Sequence, residues 1–118
     1  MSVYEMRIYH SAPGKMDVLL ARFADHTEAL FVRHGIKTTG YWVAQDKSQN
    51  LLMYMVEHES AEAAEKNWEA FRNDADWQSL KAETDANGPL AASIDRYFMD
   101  QVDLSKYKTG VSLKTEKT

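Results

Sequence analysis

The sequence predicts an α+β domain with a ferredoxin-like fold, in which one four-stranded antiparallel sheet carries helices on a single face. Three observations favour this fold. The 118 residues suffice for one domain with one core. Short segments rich in β-branched and aromatic residues alternate with segments of helical spacing. Their order (strand, helix, strand, strand, helix, strand) is the split βαβ arrangement, which places both helices on one side of the sheet.

The first half of the chain predicts a strand followed by one long helix. Val3 to His10 is rich in β-branched and aromatic residues, and the turn signal Ala12-Pro13-Gly14 follows it. From Lys15 to His34 apolar residues recur at helical spacing, and Gly35 stands where a left-handed residue closes a helix. The outer face of this helix is expected to carry four charged residues: Arg22, Asp25, Glu28 and Arg33.

A hairpin is predicted after the first helix. Ile36 to Ala44 and Leu51 to Val56 are rich in strand-forming residues and flank the polar turn Asp46 to Asn50. Because short loops join antiparallel neighbours, these two strands are expected to pair with each other.

A second helical region and a last strand complete the predicted domain. Ser60 is the expected N-cap of this region, and Asp74 or Asp76 caps a further turn or two. Apolar side chains mark its buried face: Ala61, Ala64, Trp68, Phe71, Trp77 and Leu80. Asn87-Gly88-Pro89 ends the region, and the fourth strand runs from Leu90 to Met99.

The chain divides into a domain over residues 1–102 and a lysine-rich C-terminal arm over residues 103–118. The arm has four lysines and few apolar residues. This composition is typical of a surface segment rather than a packed element.

Composition argues against several classes of protein. The balance of 14 Lys and Arg against 18 Asp and Glu gives a net charge of −4, which is not typical of a nucleic-acid binder. There is no cysteine, the histidines lack the spacing of a metal site, and no glycine-rich phosphate loop occurs. We therefore expect no metal and no cofactor. The short apolar runs predict no membrane span, and no basic-then-apolar leader follows Met1, so we expect a cytoplasmic protein.

The strands are apolar on both faces, which predicts a homodimer. Every position from Leu51 to Val56 is apolar, whereas a sheet with one face in water alternates apolar and polar residues. Helices are encoded for one face only, and an exposed apolar patch is typical of an association surface. We expect two sheets to lie face to face with twofold symmetry. The alternative is that the C-terminal arm folds back over the sheet.

Four short motifs follow one another along the chain. They are Tyr-Glu-x-Arg-x-Tyr in the first strand, Pro-Gly-Lys in the first turn, Arg-His-Gly at the end of the first helix and Trp-x-x-Phe-Arg-x-Asp in the second. Together they resemble the NIPSNAP family of the dimeric α/β-barrel superfamily over about residues 3 to 100. The resemblance implies a ferredoxin-like fold and a sheet-to-sheet dimer, but no settled catalytic residues.

The resemblance also implies a place for a ligand. Related barrels include cofactor-independent monooxygenases, haem-degrading oxygenases and lactone isomerases, which use the space between helices and sheet. This inference is a fold analogy. The first strand has no Asn, unlike the Asn, Trp and His arrangement of the haem-degrading branch, so the resemblance does not extend to that activity.

Charged residues on the first strand form a candidate polar network. Glu5, Arg7 and Tyr9 share one strand face, and Asp95 on the fourth strand could complete the group. If this face lies in the dimer interface, its charges must be paired, because unpaired buried charges are costly. The network then fixes strand register and dimer geometry. The alternative function of Arg7 is an anion clamp.

Aromatic residues and histidines are the other site candidates. Five residues are candidates for ligand binding, with an ordinary core as the alternative: Trp42, Tyr54, Trp68, Phe71 and Trp77. Three are candidate catalytic groups: His34, Tyr54 and His26. An imidazole that is partly buried can act as acid or base, but His34 could equally cap its helix and His26 could be a solvated flank residue.

The sequence therefore predicts a NIPSNAP-like protein that binds a small apolar or aromatic molecule between helices and sheet. One alternative is a non-enzymatic dimeric interaction protein. Another is a cofactor-independent monooxygenase or isomerase. A cavity between helices and sheet favours the ligand, whereas a filled core favours the interaction protein.

Overall fold

A computed structural model describes residues 2–113 and confirms the predicted α+β fold class. Its four strands form one antiparallel sheet in the order β2-β3-β1-β4. The strands are β1 (Val3–Ser11), β2 (Lys37–Val43), β3 (Leu51–His58) and β4 (Ala91–Met99). The two central strands are therefore β1 and β3, as the split βαβ order requires.

Helices connect β1 to β2 and β3 to β4. They are α1 (Met16–Arg22), α2 (Glu28–Arg33), α3 (Ala61–Arg72) and α4 (Ala75–Thr84). The Ser60 hydroxyl accepts a hydrogen bond from the Ala63 amide at 3.0 Å, which confirms the predicted N-cap of α3. The Asp74 carboxylate accepts from the Asp76 amide at 2.8 Å, so Asp74 is the cap of α4.

The first helical region is not one regular helix. A π-helical turn, Phe23–Thr27, separates α1 from α2, and the Thr27 hydroxyl donates to the Arg22 carbonyl at 3.2 Å. The predicted outer positions of Arg22 and Glu28 are wrong. Arg22 is buried because its guanidinium reaches the end of α4, where it donates to Thr84 at 3.0 Å. Glu28 is half-buried against β2.

Gly35 ends this helical region in the left-handed conformation, with φ of 73°. We expect Gly35→Ala to lower the free energy of unfolding by about 1 kcal/mol, because an L side chain is strained there. A new Cβ would also lie 3.3 Å from the Asn67 amide nitrogen. Chemical denaturation measures the loss, with Gly14→Ala as the control for backbone strain alone, since Gly14 has the same φ and open space around it. Unchanged stability in Gly35→Ala contradicts this account.

The helices cover one face of the sheet, and aromatic rings fill the centre of this layer. Tyr54 on β3 is fully buried, 5.3 Å from the Phe23 ring and 5.9 Å from the Phe31 ring, measured between ring centroids. Phe31 in turn lies 5.4 Å from Trp68 and 5.0 Å from Phe71. These spacings are those of packed aromatic pairs, so the middle of the layer is a core.

No described helix covers the opposite face of the sheet, which we call the open face. It includes apolar side chains from all four strands: Tyr4, Met6, Ile8, Trp42, Leu51, Met53, Met55, Tyr97 and Met99. Most of them are half-buried by their neighbours in the sheet alone. The prediction of apolar residues on both faces is confirmed for β3, whereas the helix-facing side of β1 carries Glu5 and Arg7.

A register shift in β2 changes which residues share a face. Between Thr38 and Gly40 the pairing with β3 skips one residue, so Tyr41 lies opposite Tyr54 on the helix-facing side. Strict alternation would place Thr38 and Tyr41 on opposite faces, but the shift places both on the helix-facing side. Trp42 consequently points to the open face, where it is 52% exposed.

The C-terminal arm carries one short 3₁₀ turn, Leu104–Tyr107. The large apolar residues of its described part, Leu104, Tyr107, Val111 and Leu113, are 72–75% exposed. Within residues 103–113 the alternative that the arm folds back over the sheet is therefore wrong. Residues 114–118 of the predicted arm lie outside the described residues.

Candidate functional site

A buried carboxylate, Glu5, is the centre of a charged network between β1 and the helices. Glu5 is 0% exposed. One of its oxygens accepts hydrogen bonds from His58 Nε2 at 2.8 Å and from Trp68 Nε1 at 2.7 Å. The other accepts from Arg7 Nη1 at 3.0 Å and from Arg96 Nε at 2.8 Å. Four donors from β1, β3, β4 and α3 therefore converge on one side chain.

Arg7 extends this network toward the aromatic core. Its Nε donates to the Tyr54 hydroxyl at 2.8 Å, and the Tyr54 and Tyr9 hydroxyls are 3.0 Å apart. The guanidinium carbon lies 4.3 Å from the centroid of the Trp68 ring, which is a cation–π contact. The Arg7 side chain is only 13% exposed, so hydrogen bonds and an aromatic face replace most of its hydration.

The protonation of Glu5 follows from these partners. Burial alone raises the pKa of Glu5, but the hydrogen bonds from His58, Trp68 and Arg96, together with the charge of Arg7, lower it to about 2. The carboxylate is therefore ionised at neutral pH. It supplies the negative charge that allows two arginines to lie beside it.

The phenol of Tyr54 remains protonated at neutral pH. Burial raises the pKa of Tyr54 well above its ordinary value, the neighbouring Tyr9 raises it further, and Arg7 only partly opposes them. Tyr54 can therefore donate or relay a hydrogen bond, but it is not a base in this state.

The predicted network of Glu5, Arg7 and Tyr9 exists, but it faces the helices rather than the open face. The predicted place of Asp95 in it is wrong. Asp95 lies on the open face, where its carboxylate is 2.9 Å from His10 Nε2. Its neighbour Arg96 joins the network instead, since adjacent strand residues point to opposite faces.

Sequence reasoning missed His58 and Arg96. His58 continues the buried alternation of Leu52, Tyr54 and Val56 on β3, and this period of two is the signal that could have found it. Its Nδ1 is buried and has no hydrogen-bond partner among the described residues. Arg96 carries no comparable signal, because β4 is exposed on both faces.

Four of the five predicted ligand-binding residues lie in the helix-to-sheet layer: Tyr54, Trp68, Phe71 and Trp77. Trp42 does not, because the register shift in β2 turns it to the open face. The four residues are largely a packed core, with 4.6 Å between the ring centroids of Phe71 and Trp77.

The three predicted catalytic candidates do not come together. His34 Nε2 lies 2.6 Å from the Asp74 carboxylate, which joins the end of α2 to the start of α4. The hydrogen bond from His34, helped by Arg33 and opposed by burial, lowers the pKa of Asp74 far below its ordinary value. His26 is exposed on the π-helical turn. Tyr54 alone is in the layer.

A second polar cluster fixes β2 to the helices. The Glu28 carboxylate accepts from the Thr38 hydroxyl at 2.6 Å and also from the Tyr41 hydroxyl. Burial raises the pKa of Tyr41, and the neighbouring Glu28 raises it further. The phenol of Tyr41 therefore stays protonated and donates to Glu28, which links β2 to α2.

The edge strand β4 is exposed on its helix-facing side, next to α3. On the helix-facing side of β4, Ile94 and Phe98 are each 43% exposed, and the Arg96 side chain is 36% exposed. Arg96 Nη2 reaches Glu65 of α3 at 3.5 Å. We call the region formed by Arg7, Glu65, Ile94, Arg96 and Phe98 the β4 margin. It is where solvent approaches the charged network.

Neither a metal-binding cluster nor a helix able to cross a membrane occurs in residues 2–113. There, His, Asp and Glu side chains form no group of three or more that could hold a metal ion. None of the helices in this part of the chain has the length and apolar character needed to cross a membrane.

Solved structures with the same fold support this architecture. A NIPSNAP family protein from Agrobacterium tumefaciens is 19% identical, with a TM-score of 0.77, and the match covers 87% of this chain and 95% of that chain. An uncharacterized NIPSNAP domain protein from Burkholderia xenovorans is 16% identical, with a TM-score of 0.73 and coverages of 85% and 94%. A putative antibiotic biosynthesis monooxygenase from Bordetella bronchiseptica is 15% identical, with a TM-score of 0.62 and coverages of 86% and 97%. At these identities the likeness shows the fold alone.

Family membership rests on the sequence match. No curated protein matches the chain. The family model named NIPSNAP matches residues 4–106, which span all four strands and all four helices. The chain therefore belongs to the NIPSNAP family.

Proposed function

We propose that this protein binds a small apolar or aromatic molecule at the β4 margin, next to the charged network. The observation that carries this proposal is the exposure of Ile94, Arg96 and Phe98 on the helix-facing side of β4, whereas the same side of β3 is buried. Apolar side chains combined with a few fixed polar groups are typical of small-molecule sites. Arg7 is held in place by Glu5 and Tyr54, so the polar part of the site is preorganised.

The margin, rather than the centre of the layer, is the proposed site. Aromatic rings fill the centre around Tyr54, and a filled core by itself favours the interaction protein. The ligand proposal therefore depends on the margin alone.

Thermal shift with a quinone, a phenol and a lactone tests this proposal. Ligand that binds only the folded protein raises the unfolding temperature as its concentration increases. We expect at least one compound to do so, and we expect Ile94→Arg to abolish the shift because the new side chain fills the margin. Val32→Arg, on the exposed side of α2, is the matched control. An equal shift in both variants contradicts the proposal, as does a flat response to all three compounds together with a failure of the acids and amides described below.

Homodimer formation is the second part of the proposed function. The open face presents apolar side chains from every strand, and among the described residues no helix and no part of the arm covers them. A second copy of the chain supplies the same surface, so an isologous pairing of two sheets covers both faces at once. This face also supports the alternative of a non-enzymatic dimeric interaction protein, which needs no ligand.

The geometry favours binding over catalysis. A cofactor-independent monooxygenase or isomerase needs a base beside the substrate, and Tyr54 is the one predicted candidate in the layer. Its raised pKa keeps it protonated at neutral pH. The likeness to the monooxygenase from Bordetella bronchiseptica is one of fold and adds no catalytic group here.

A further inference from the structure

Two arginines lie directly opposite each other at the β4 margin. Arg7 and Arg96 are cross-strand partners in the register of β1 and β4, and both point to the helix-facing side. Like charges in this position repel and destabilise a sheet. Their presence here requires negative charge close by.

The described residues only partly supply this charge. Glu5 is the one carboxylate held tightly between the two guanidinium groups, with hydrogen bonds of 3.0 and 2.8 Å from Arg7 and Arg96. Glu65 approaches Arg96 only at 3.5 Å, and its side chain is 60% exposed. A surface pair of this kind is weak. Close to Glu5 there are thus two positive charges and one negative charge, and the second carboxylate, Glu65, is held only weakly at the partly exposed Arg96.

The guanidinium group of Arg96 also has hydrogen-bond donors that are not used. Its Nε is used by Glu5, but its Nη1 forms no hydrogen bond with any residue of the described range 2–113. The guanidinium lies over Phe98, with 4.8 Å between its central carbon and the ring centroid. An arginine with a fixed Nε and an open Nη edge is suited to receive a carboxylate, because the fork of donors matches the two oxygens.

Apolar side chains lie on the same side of the sheet as Arg96. Ile94 and Phe98 flank Arg96 on β4, and the face of Trp68 lies beneath Arg7. A ligand whose acid group meets Arg96 therefore places its remaining atoms on apolar or aromatic surface.

We propose that the ligand of the β4 margin is a small aromatic or branched apolar carboxylic acid, whose carboxylate displaces Glu65 and pairs with Arg96 beside Arg7. This inference rests on the proposed binding function and adds the chemical class of the ligand. A monocarboxylate replaces the weakly held Glu65 as the second counter-charge of the two arginines. A neutral analogue supplies no such counter-charge.

Calorimetric titration of the full-length protein at neutral pH and low salt tests the acid class. The probes are phenylacetate and benzoate, each compared with its amide, phenylacetamide and benzamide. We expect at least one acid to bind about tenfold or more tightly than its amide, because a hydrogen bond to a charged group is worth more than a neutral one. Rising salt is expected to weaken only the acid.

Two variants, Arg96→Gln and Glu65→Gln, test whether the acid binds at Arg96, and Lys47→Gln is the control. Arg96→Gln is expected to remove the preference for acid over amide, whereas Lys47→Gln, which removes one positive charge at the turn between β2 and β3, is expected to keep it. Glu65→Gln removes the competing carboxylate at an exposed position and is expected to strengthen acid binding by about two- to fivefold. Because Glu65 is exposed, this variant does not depend on whether Arg96→Gln folds.

The outcomes separate the two proposals. If acid and amide bind equally in the original protein, the acid inference is overturned and the binding function stands. If an acid binds preferentially but Glu65→Gln leaves its affinity unchanged and Arg96→Gln keeps the preference, the place assigned to the carboxylate is overturned. If none of the four compounds binds at millimolar concentration and the thermal-shift compounds also fail, both proposals are overturned.

Discussion

Glu5→Gln is expected to lower the free energy of unfolding by about 3 to 5 kcal/mol at pH 7, the range found when one partner of a buried ion pair is removed. The amide keeps the shape of the side chain but not its charge. Arg7 and Arg96 then lie opposite each other with no counter-charge between them, and the amide nitrogen faces donors rather than acceptors. Chemical denaturation monitored by tryptophan fluorescence measures the loss.

The pH dependence of this loss has a definite sign. The pKa of Glu5 is lowered to about 2 in the folded protein, below its ordinary value near 4.5. A group whose pKa is lowered by folding stabilises the protein above its unfolded pKa and loses this contribution as pH falls through the folded pKa. The difference between the original protein and Glu5→Gln is therefore expected to be full above about pH 5 and to shrink steadily toward pH 2.

Glu69→Gln is the matched control for this experiment. Glu69 lies on the exposed side of α3, outside the network, and its loss is expected to change stability by less than about 0.5 kcal/mol. A loss below about 1 kcal/mol in Glu5→Gln, or a loss that does not depend on pH between 2 and 5, contradicts the network described above.

Met53→Lys is expected to break the proposed dimer. Met53 lies at the centre of the open face, between Ile8 of β1 and Trp42 of β2. In a sheet-to-sheet dimer the new ammonium group is buried near its twofold copy, and the cost of an unpaired buried charge is expected to raise the dissociation constant by at least 100-fold. In the monomer the same lysine is hydrated, so the circular dichroism spectrum is expected to stay unchanged. Val32→Lys on the exposed side of α2 is the control. An unchanged dissociation constant in Met53→Lys contradicts the pairing of open faces.

Element order and apolar periodicity were enough to predict the fold. The helix caps at Ser60 and the stop at Gly35 follow from local chemistry that does not depend on tertiary contacts. Two local irregularities were not predictable in this way. The π-helical turn at Phe23–Thr27 and the register shift near Gly40 each offset the side-chain periodicity of their element by one residue. Each irregularity therefore places some residues in a different environment from the one predicted.

Only the part of the candidate site that depends on local sequence was predicted. Glu5, Arg7 and Tyr9 were found together because they share a strand face, which is a local property. Their partners Arg96 and His58 lie far away in sequence, and only the pairing of β1 with β3 and β4 brings them to Glu5. Asp95 and Arg96 are neighbours in sequence, so without the strand register either one could have completed the network.

A second copy of the chain is proposed to cover the open face of the sheet. Light scattering during size-exclusion chromatography at micromolar concentration measures the molar mass in solution and so decides whether the chain forms this dimer. We expect a single species at twice the chain mass of 13.5 kDa. A single species at 13.5 kDa that persists as concentration increases would contradict it.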